Sequence, residues 1–181
     1  MHQLVSDHID PKTVILIWNI GGSAGLTPFR SNFIDYVECD IDVRDVTKVN
    51  KVIGVGTNLH KFVDVAGNNV YLPCVSYHLP STDIRLFSPQ VYRQIYGGQS
   101  MVNGDEVVMR VCEVGPPITI AIPIDRDGTN LPVVRNSFVS EKIKKKHAHR
   151  IRSALNATGL YTALDYFGSL SLSGQSKQGL F

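Results

Sequence analysis

An apolar run, Val14-Ile15-Leu16-Ile17-Trp18, leads directly into Asn19-Ile20-Gly21-Gly22-Ser23-Ala24-Gly25. The run is short, β-branched and aromatic, as a buried strand should be, so the loop behind it could present polar groups at a strand end. A dinucleotide loop would need GxGxxG spacing and an opening helix. The spacing is absent, and Leu26-Thr27-Pro28 stands where that helix would begin. A nucleophile elbow needs G-x-S-x-G, which Gly21-Gly22-Ser23-Ala24-Gly25 supplies, making Ser23 a candidate nucleophile. That elbow also requires a strand-to-helix turn in an alternating α/β chain, whereas here strand signals follow one another. The blandest reading is a tight glycine turn between two strands.

The elements that must hold this loop are mostly strands. Along residues 37–46, Val37, Cys39, Ile41 and Val43 alternate with Glu38, Asp40, Asp42 and Arg44, the period of a half-exposed strand. Lys51-Val52-Ile53-Gly54-Val55-Gly56 reads as a further strand, its glycines standing where a side chain would obstruct a neighbour. Residues 62–65 and 70–75 flank Ala66-Gly67-Asn68-Asn69, a hairpin turn. Residues 106–114 and 118–124 are strands parted by Gly115-Pro116-Pro117. A short helix is marked by Ser88 as cap, Pro89 at its first position and Gly97-Gly98 at its stop. A second helix is expected from about residue 136 to 156, with Val139, Ile143, Ile151 and Leu155 as a narrow apolar stripe. The last dozen residues, rich in Gly, Ser and Gln, are expected to be disordered.

In this order and spacing the chain resembles the retropepsin-like aspartic proteases of copia-type retrotransposon polyproteins. Asn19-Ile20-Gly21-Gly22-Ser23 is similar to their Asp-Ser/Thr-Gly-Ala-Ser motif, Ile53-Gly54-Val55-Gly56 to their glycine-rich flap, and Leu86-Phe87-Ser88 to the segment that buttresses the active loop. The resemblance covers residues 14–136. It implies an all-β subunit, a small closed barrel with one short helix, followed by a C-terminal helical extension. It also implies a homodimer, because each motif copy supplies one carboxylate and this chain holds one copy. The substrate would be an extended peptide of the polyprotein, held under the flap by strand-like hydrogen bonds. No cofactor or metal is implied, and the setting would be cytoplasmic or within retrotransposon particles.

The chain departs from the family where the chemistry lies. Two facing carboxylates share one proton; the ionised one activates water and the protonated one polarises the scissile carbonyl. Asn19 replaces that acid with an amide that neither gives nor takes a proton near neutrality. Ile20 replaces the Ser or Thr that bonds across the dimer axis, and Gly22 replaces Ala. An aspartic endopeptidase subunit, inactive as written, is therefore the leading expectation. A dimerisation or peptide-binding relative without hydrolysis is the alternative, and a serine hydrolase using Ser23 the third.

Composition sets the frame. With 181 residues, 43% hydrophobic and 19% charged, the chain has the make-up of one ordinary globular domain, and no apolar run is long enough to cross a bilayer. Its start lacks a basic, apolar leader, which points to an intracellular setting. Cys39, Cys74 and Cys112 are odd in number and unpaired in spacing, so they read as small hydrophobes. His60, His78, His147 and His149 share no ligand spacing and read as surface residues, and Arg85, beside Asp83, reads as a solvated or locally paired side chain rather than a substrate clamp. The formal charge of +2 hides a split. Residues 1–141 hold eleven Lys/Arg against fifteen Asp/Glu, while residues 142–152 add Lys142, Lys144, Lys145, Lys146, Arg150 and Arg152 with no acid. That run is a candidate for weak nucleic-acid contact. Residues 1–136 are thus expected to form the protease-like body, and residues 137–181 a basic helix and tail outside it, dispensable for its folding.

Overall fold

The computed structural model describes residues 13–44, 49–111, 116–159 and Asp165. Cys112 and the Gly/Ser/Gln-rich tail lie outside the described residues. Among the described residues ten strands and two α-helices follow in order: β1 (Thr13–Trp18), β2 (Gly25–Thr27), a 3-10 turn (Arg30–Asn32), β3 (Phe33–Arg44), β4 (Val49–Val63), β5 (Asn69–His78), β6 (Arg85–Phe87), α1 (Pro89–Tyr96), β7 (Gln99–Asn103), β8 (Glu106–Val111), β9 (Ile118–Pro123), β10 (Val133–Ser137) and α2 (Glu141–Ala157). The chain is mainly β. None of its described helices is long and apolar enough to cross a membrane.

Seven strands form one sheet in the order β10-β1-β6-β2-β5-β4-β3, and β7-β8-β9 form a second. The sheet is open, with β10 and β3 at its edges, so the closed barrel that the resemblance implies is not formed. Most neighbours are antiparallel, but β1 runs parallel to β6 and β2 parallel to β5. Strands β1 and β2, joined by the short Asn19–Ala24 loop, are not neighbours: β6 lies between them, parallel to one and antiparallel to the other.

Local rules account for much of this. The hairpin between β4 and β5 turns where Gly67 takes φ +87°, and the Asp64 carboxylate accepts from the amides of Ala66 and Asn68 at 2.9 and 2.7 Å. Along β3 the alternation appears as read, with Val37, Cys39, Ile41 and Val43 half-buried and Glu38, Asp40 and Asp42 exposed. Helix α1 begins at Pro89 behind a Ser88 cap and stops at Gly97, φ +80°. Residues 51–56 and 62–63 belong to a single 15-residue strand, continuous through Thr57, Asn58, Leu59 and His60.

Two apolar cores flank the main sheet. One holds Leu16, Trp18, Phe62, Leu72, Phe87, Val107, Met109 and Ile120, and seats the three-stranded sheet. His60 lies in this region, its ring 5.5 Å from that of Phe87 and 1% exposed, so it is no surface residue. Burial, with the Arg85 charge adding to it, holds its pKa well below the ordinary imidazole value and keeps the ring neutral. Arg85, 2% exposed, is also inside rather than solvated; loss of hydration lowers its pKa to about 10. Cys74 is a buried hydrophobe as read, its thiol pushed up to about 11, and Cys39 is half-buried.

The other core corrects the domain boundary. Val139, Ile151 and Leu155 pack with Leu26, Val52, Val55, Val75, Leu86 and Val91 in one cluster. Lys144, 4% exposed, donates to the Ser31 carbonyl and to Glu141 at 2.5 Å. The ring of Phe138 meets that of Phe29 at 5.1 Å, and His147 stacks against Tyr71 at 5.3 Å. Residues 133–137, read as the end of the body and the beginning of a helix, form β10 and pair with β1 from Thr13↔Ser137 to Ile17↔Val133. The described part of the C-terminal segment is therefore part of the body. Its narrow apolar stripe is the side that seals this core.

Candidate functional site

Strand β1 carries Trp18 into the core and leaves Asn19 half-buried at its end, while Ile20 (37% exposed) and Gly21 form the exposed tip of the loop. The turn is closed by Gly22 N–H donating to the Asn19 carbonyl at 3.2 Å. A Cβ at position 22 would lie 2.6 Å from Asn19 Nδ2, so the absence of a side chain at Gly22 is what lets the carboxamide fold over the loop. At Gly25 a Cβ would meet Ser76 Oγ at 2.2 Å and Cys74 Sγ at 2.8 Å, because β2 is pressed against β5 there.

The loop is held from behind by β6 and α1. Asn19 N–H donates to the Phe87 carbonyl at 2.9 Å, and Ser88 Oγ donates to the Gly22 carbonyl at 2.5 Å. The same Ser88 oxygen accepts from the Val91 amide at 3.2 Å, capping α1. Leu86, Phe87 and Ser88 are all buried. Asn19 and Gly22 are thus brought together with Phe87 and Ser88. Ser88→Ala removes a cap and a buried donor at once, and is expected to cost about 1–3 kcal/mol. Urea unfolding of the variant measures this; an unshifted midpoint would show that the tie carries no weight.

Ile53-Gly54-Val55-Gly56 is not a free flap. These residues lie inside β4, and Gly54, Val55 and Gly56 are paired with β3 on one side and β5 on the other. Their glycines do stand where side chains would obstruct: a Cβ at Gly54 would fall 2.1 Å from the Tyr36 ring, and one at Gly56 2.2 Å from the Asp35 carbonyl. The turn of the β3–β4 hairpin, residues 45–48, lies outside the described residues. Ile53 itself is exposed, and with Val49, Lys51, Pro80 and Ser81 it lines a cavity of about 380 Å³ beside the hairpin.

A cluster the sequence reading missed ties this hairpin down. Tyr36 Oη and His78 Nδ1 are 2.7 Å apart, His78 Nε2 is 3.3 Å from the Pro28 carbonyl, and Arg30 lies 3.5 Å over the Tyr36 ring. The bond to a carbonyl makes Nε2 the donor, so the neutral ring accepts from Tyr36. His78 is therefore buried and doubly bonded rather than at the surface. Gly54 inside a strand was the available signal that something large crosses there.

The serine-hydrolase alternative loses ground on geometry. Ser23 is followed by strand β2, not by the helix a nucleophile elbow requires. Among the described residues neither His60 nor His78 bonds to it, the first having no hydrogen-bond partner there and the second being engaged with Tyr36 and Pro28. The next acid in sequence, Asp35, accepts from Thr57 N at 2.5 Å and Thr57 Oγ1 at 3.2 Å, which locks β3 to β4. Burial raises its pKa against the effect of those bonds. No family model, curated protein or solved structure matches this chain.

Proposed function

We propose that this chain is one subunit of a retropepsin-like aspartic endopeptidase from a copia-type retrotransposon polyprotein, inactive as written because Asn19 occupies the acid's position. The observation that carries the reading is the way the loop is held. Strand β6 is threaded between β1 and β2, and it and the cap of α1 grip the loop at Asn19 and Gly22. Such a grip fixes the direction of residue 19 while leaving the tip, Ile20 and Gly21, exposed to a second copy.

In the dimer two loops face each other, and a peptide lies extended beneath the β3–β4 hairpins, with the Ile53 cavity receiving a side chain. With Asn19 on both loops the water between them has neither a base to take its proton nor an acid to polarise the carbonyl. The groove then binds without cutting, which is the favoured form of the second reading, a peptide-binding relative. Sedimentation equilibrium at tens of micromolar, with and without a statine-type peptide, is expected to show a dimer at least in the presence of the ligand. A strict monomer under both conditions sinks the proposal.

A further inference from the structure

We infer that the outward face of α2 is a binding surface for the phosphate backbone of nucleic acid, read without regard to sequence. Packing fixes which side of α2 faces out. Lys144, Ile151 and Leu155 are buried against the body, so Lys142, Lys145, Lys146, His149 and Arg152 are all on the exposed side. Their spacing of three and four residues sets them in one stripe, and Lys142 to Arg152 spans about 15 Å at the helical rise.

This stripe has no acidic counterpart of its own. Glu141, the acid of the helix, is taken by the buried Lys144 at 2.5 Å. Lys142, Lys145, Lys146 and Arg152 enter no ion pair among the described residues; Lys145 and Arg152 act only at a distance, on Glu141 and Asp35. The excess is local, since residues 1–141 carry more acids than bases. Concentrating cations on one face of an otherwise acidic chain costs self-repulsion, which a polyanion relieves.

The choice of polyanion follows from what else the face carries. Past Arg152 the exposed side continues with Ser153 and Asn156, and it carries no large apolar side chain that could enter a bilayer, so an anionic membrane is disfavoured. Nucleic acid offers charge at short, regular intervals that a 15 Å stripe can meet at about four phosphates. The inference is independent of the peptidase reading, because it uses neither the loop nor the dimer.

Fluorescence anisotropy of the full chain with a labelled 20-nucleotide RNA of mixed sequence tests it, against 50–200 mM salt. Binding is expected to weaken with a log–log slope of about −3, a loss of roughly 60-fold across that range. A variant carrying Lys142→Gln, Lys145→Gln, Lys146→Gln and Arg152→Gln, all at exposed positions, is expected to keep its melting temperature and lose at least about tenfold in affinity at 50 mM salt. Equal affinity of variant and parent, or no binding by the parent at 50 mM, overturns the inference. So does tighter binding to polyglutamate or to phosphatidylserine vesicles than to the RNA, which would make the face a protein or membrane site.

Discussion

The Asn19→Asp, Ile20→Thr double variant is expected to cleave peptides at mildly acidic pH, where the parent chain does not. Residue 19 sits half-buried on a loop gripped through Phe87 and Ser88, so an aspartate there inherits a fixed direction without a change of backbone. Each general acid or base contributes about 10²–10⁴-fold, and the double variant gains one of each in the dimer, for at least about 10⁴-fold over the parent. Like charges in close contact cannot both ionise, so the rate should be bell-shaped in pH, falling when the shared proton is lost and when a second is gained. Threonine at 20 restores a hydroxyl where an exposed isoleucine now stands, and is expected to add dimer stability of about 1 kcal/mol over Asn19→Asp alone. Gly22 is left unchanged, because a methyl there would press on residue 19. A folded, dimeric double variant that cleaves neither a peptide library nor its own termini would leave the protease reading without support. Cleavage by the parent chain, with a fluorophosphonate labelling Ser23, would replace it by the serine mechanism.

Truncation after residue 136 should destroy cooperative folding. It removes Ser137 from the β1–β10 ladder and takes Val139, Ile151 and Leu155 out of a core they share with Leu26, Val52 and Leu86. Removing one buried Leu or Ile side chain costs about 2–5 kcal/mol, while a whole domain is stable by only about 5–15 kcal/mol. Ile151→Ala with Leu155→Ala offers a gentler version, expected to lower the urea midpoint sharply without removing the helix. A truncated chain that is soluble and melts at the parent temperature would show that α2 is an appendage after all.

What the sequence disclosed was whatever local chemistry decides. Ser88, Pro89 and Gly97 bracket α1 by capping and backbone preference alone, and the alternation through Val37, Cys39, Ile41 and Val43 needs no distant partner to be seen. Strand β10 was missed for the opposite reason: Val133-Val134-Arg135-Asn136-Ser137 has little pattern of its own, and its partner lies more than a hundred residues earlier. The buried Asn58 and His60 broke the rule that polar residues mark surface and hid the continuity of β4. At the candidate site, Asn19-Ile20-Gly21-Gly22 and Leu86-Phe87-Ser88 stood out as motifs, and the structure puts the two segments in contact. The role of Gly54 and Gly56 was not, since a glycine reveals that something approaches but not whether it is a substrate or, as here, Tyr36 and Asp35.

The threading of β6 and β10 around β1 also dictates a timetable. On the ribosome, β1 emerges before either strand that will pair with it: Leu16 waits for Arg85, and Thr13 for Ser137. At about 5–20 residues per second, the interval before β10 is made is roughly 6–25 s. During that time Ile15, Leu16, Ile17 and Trp18 form an unpaired, β-prone apolar segment, the kind that recruits neighbouring nascent chains or a chaperone. Slower translation lengthens that exposure, so yield of soluble protein should depend on elongation rate and chaperone supply more than on the stability of the finished fold.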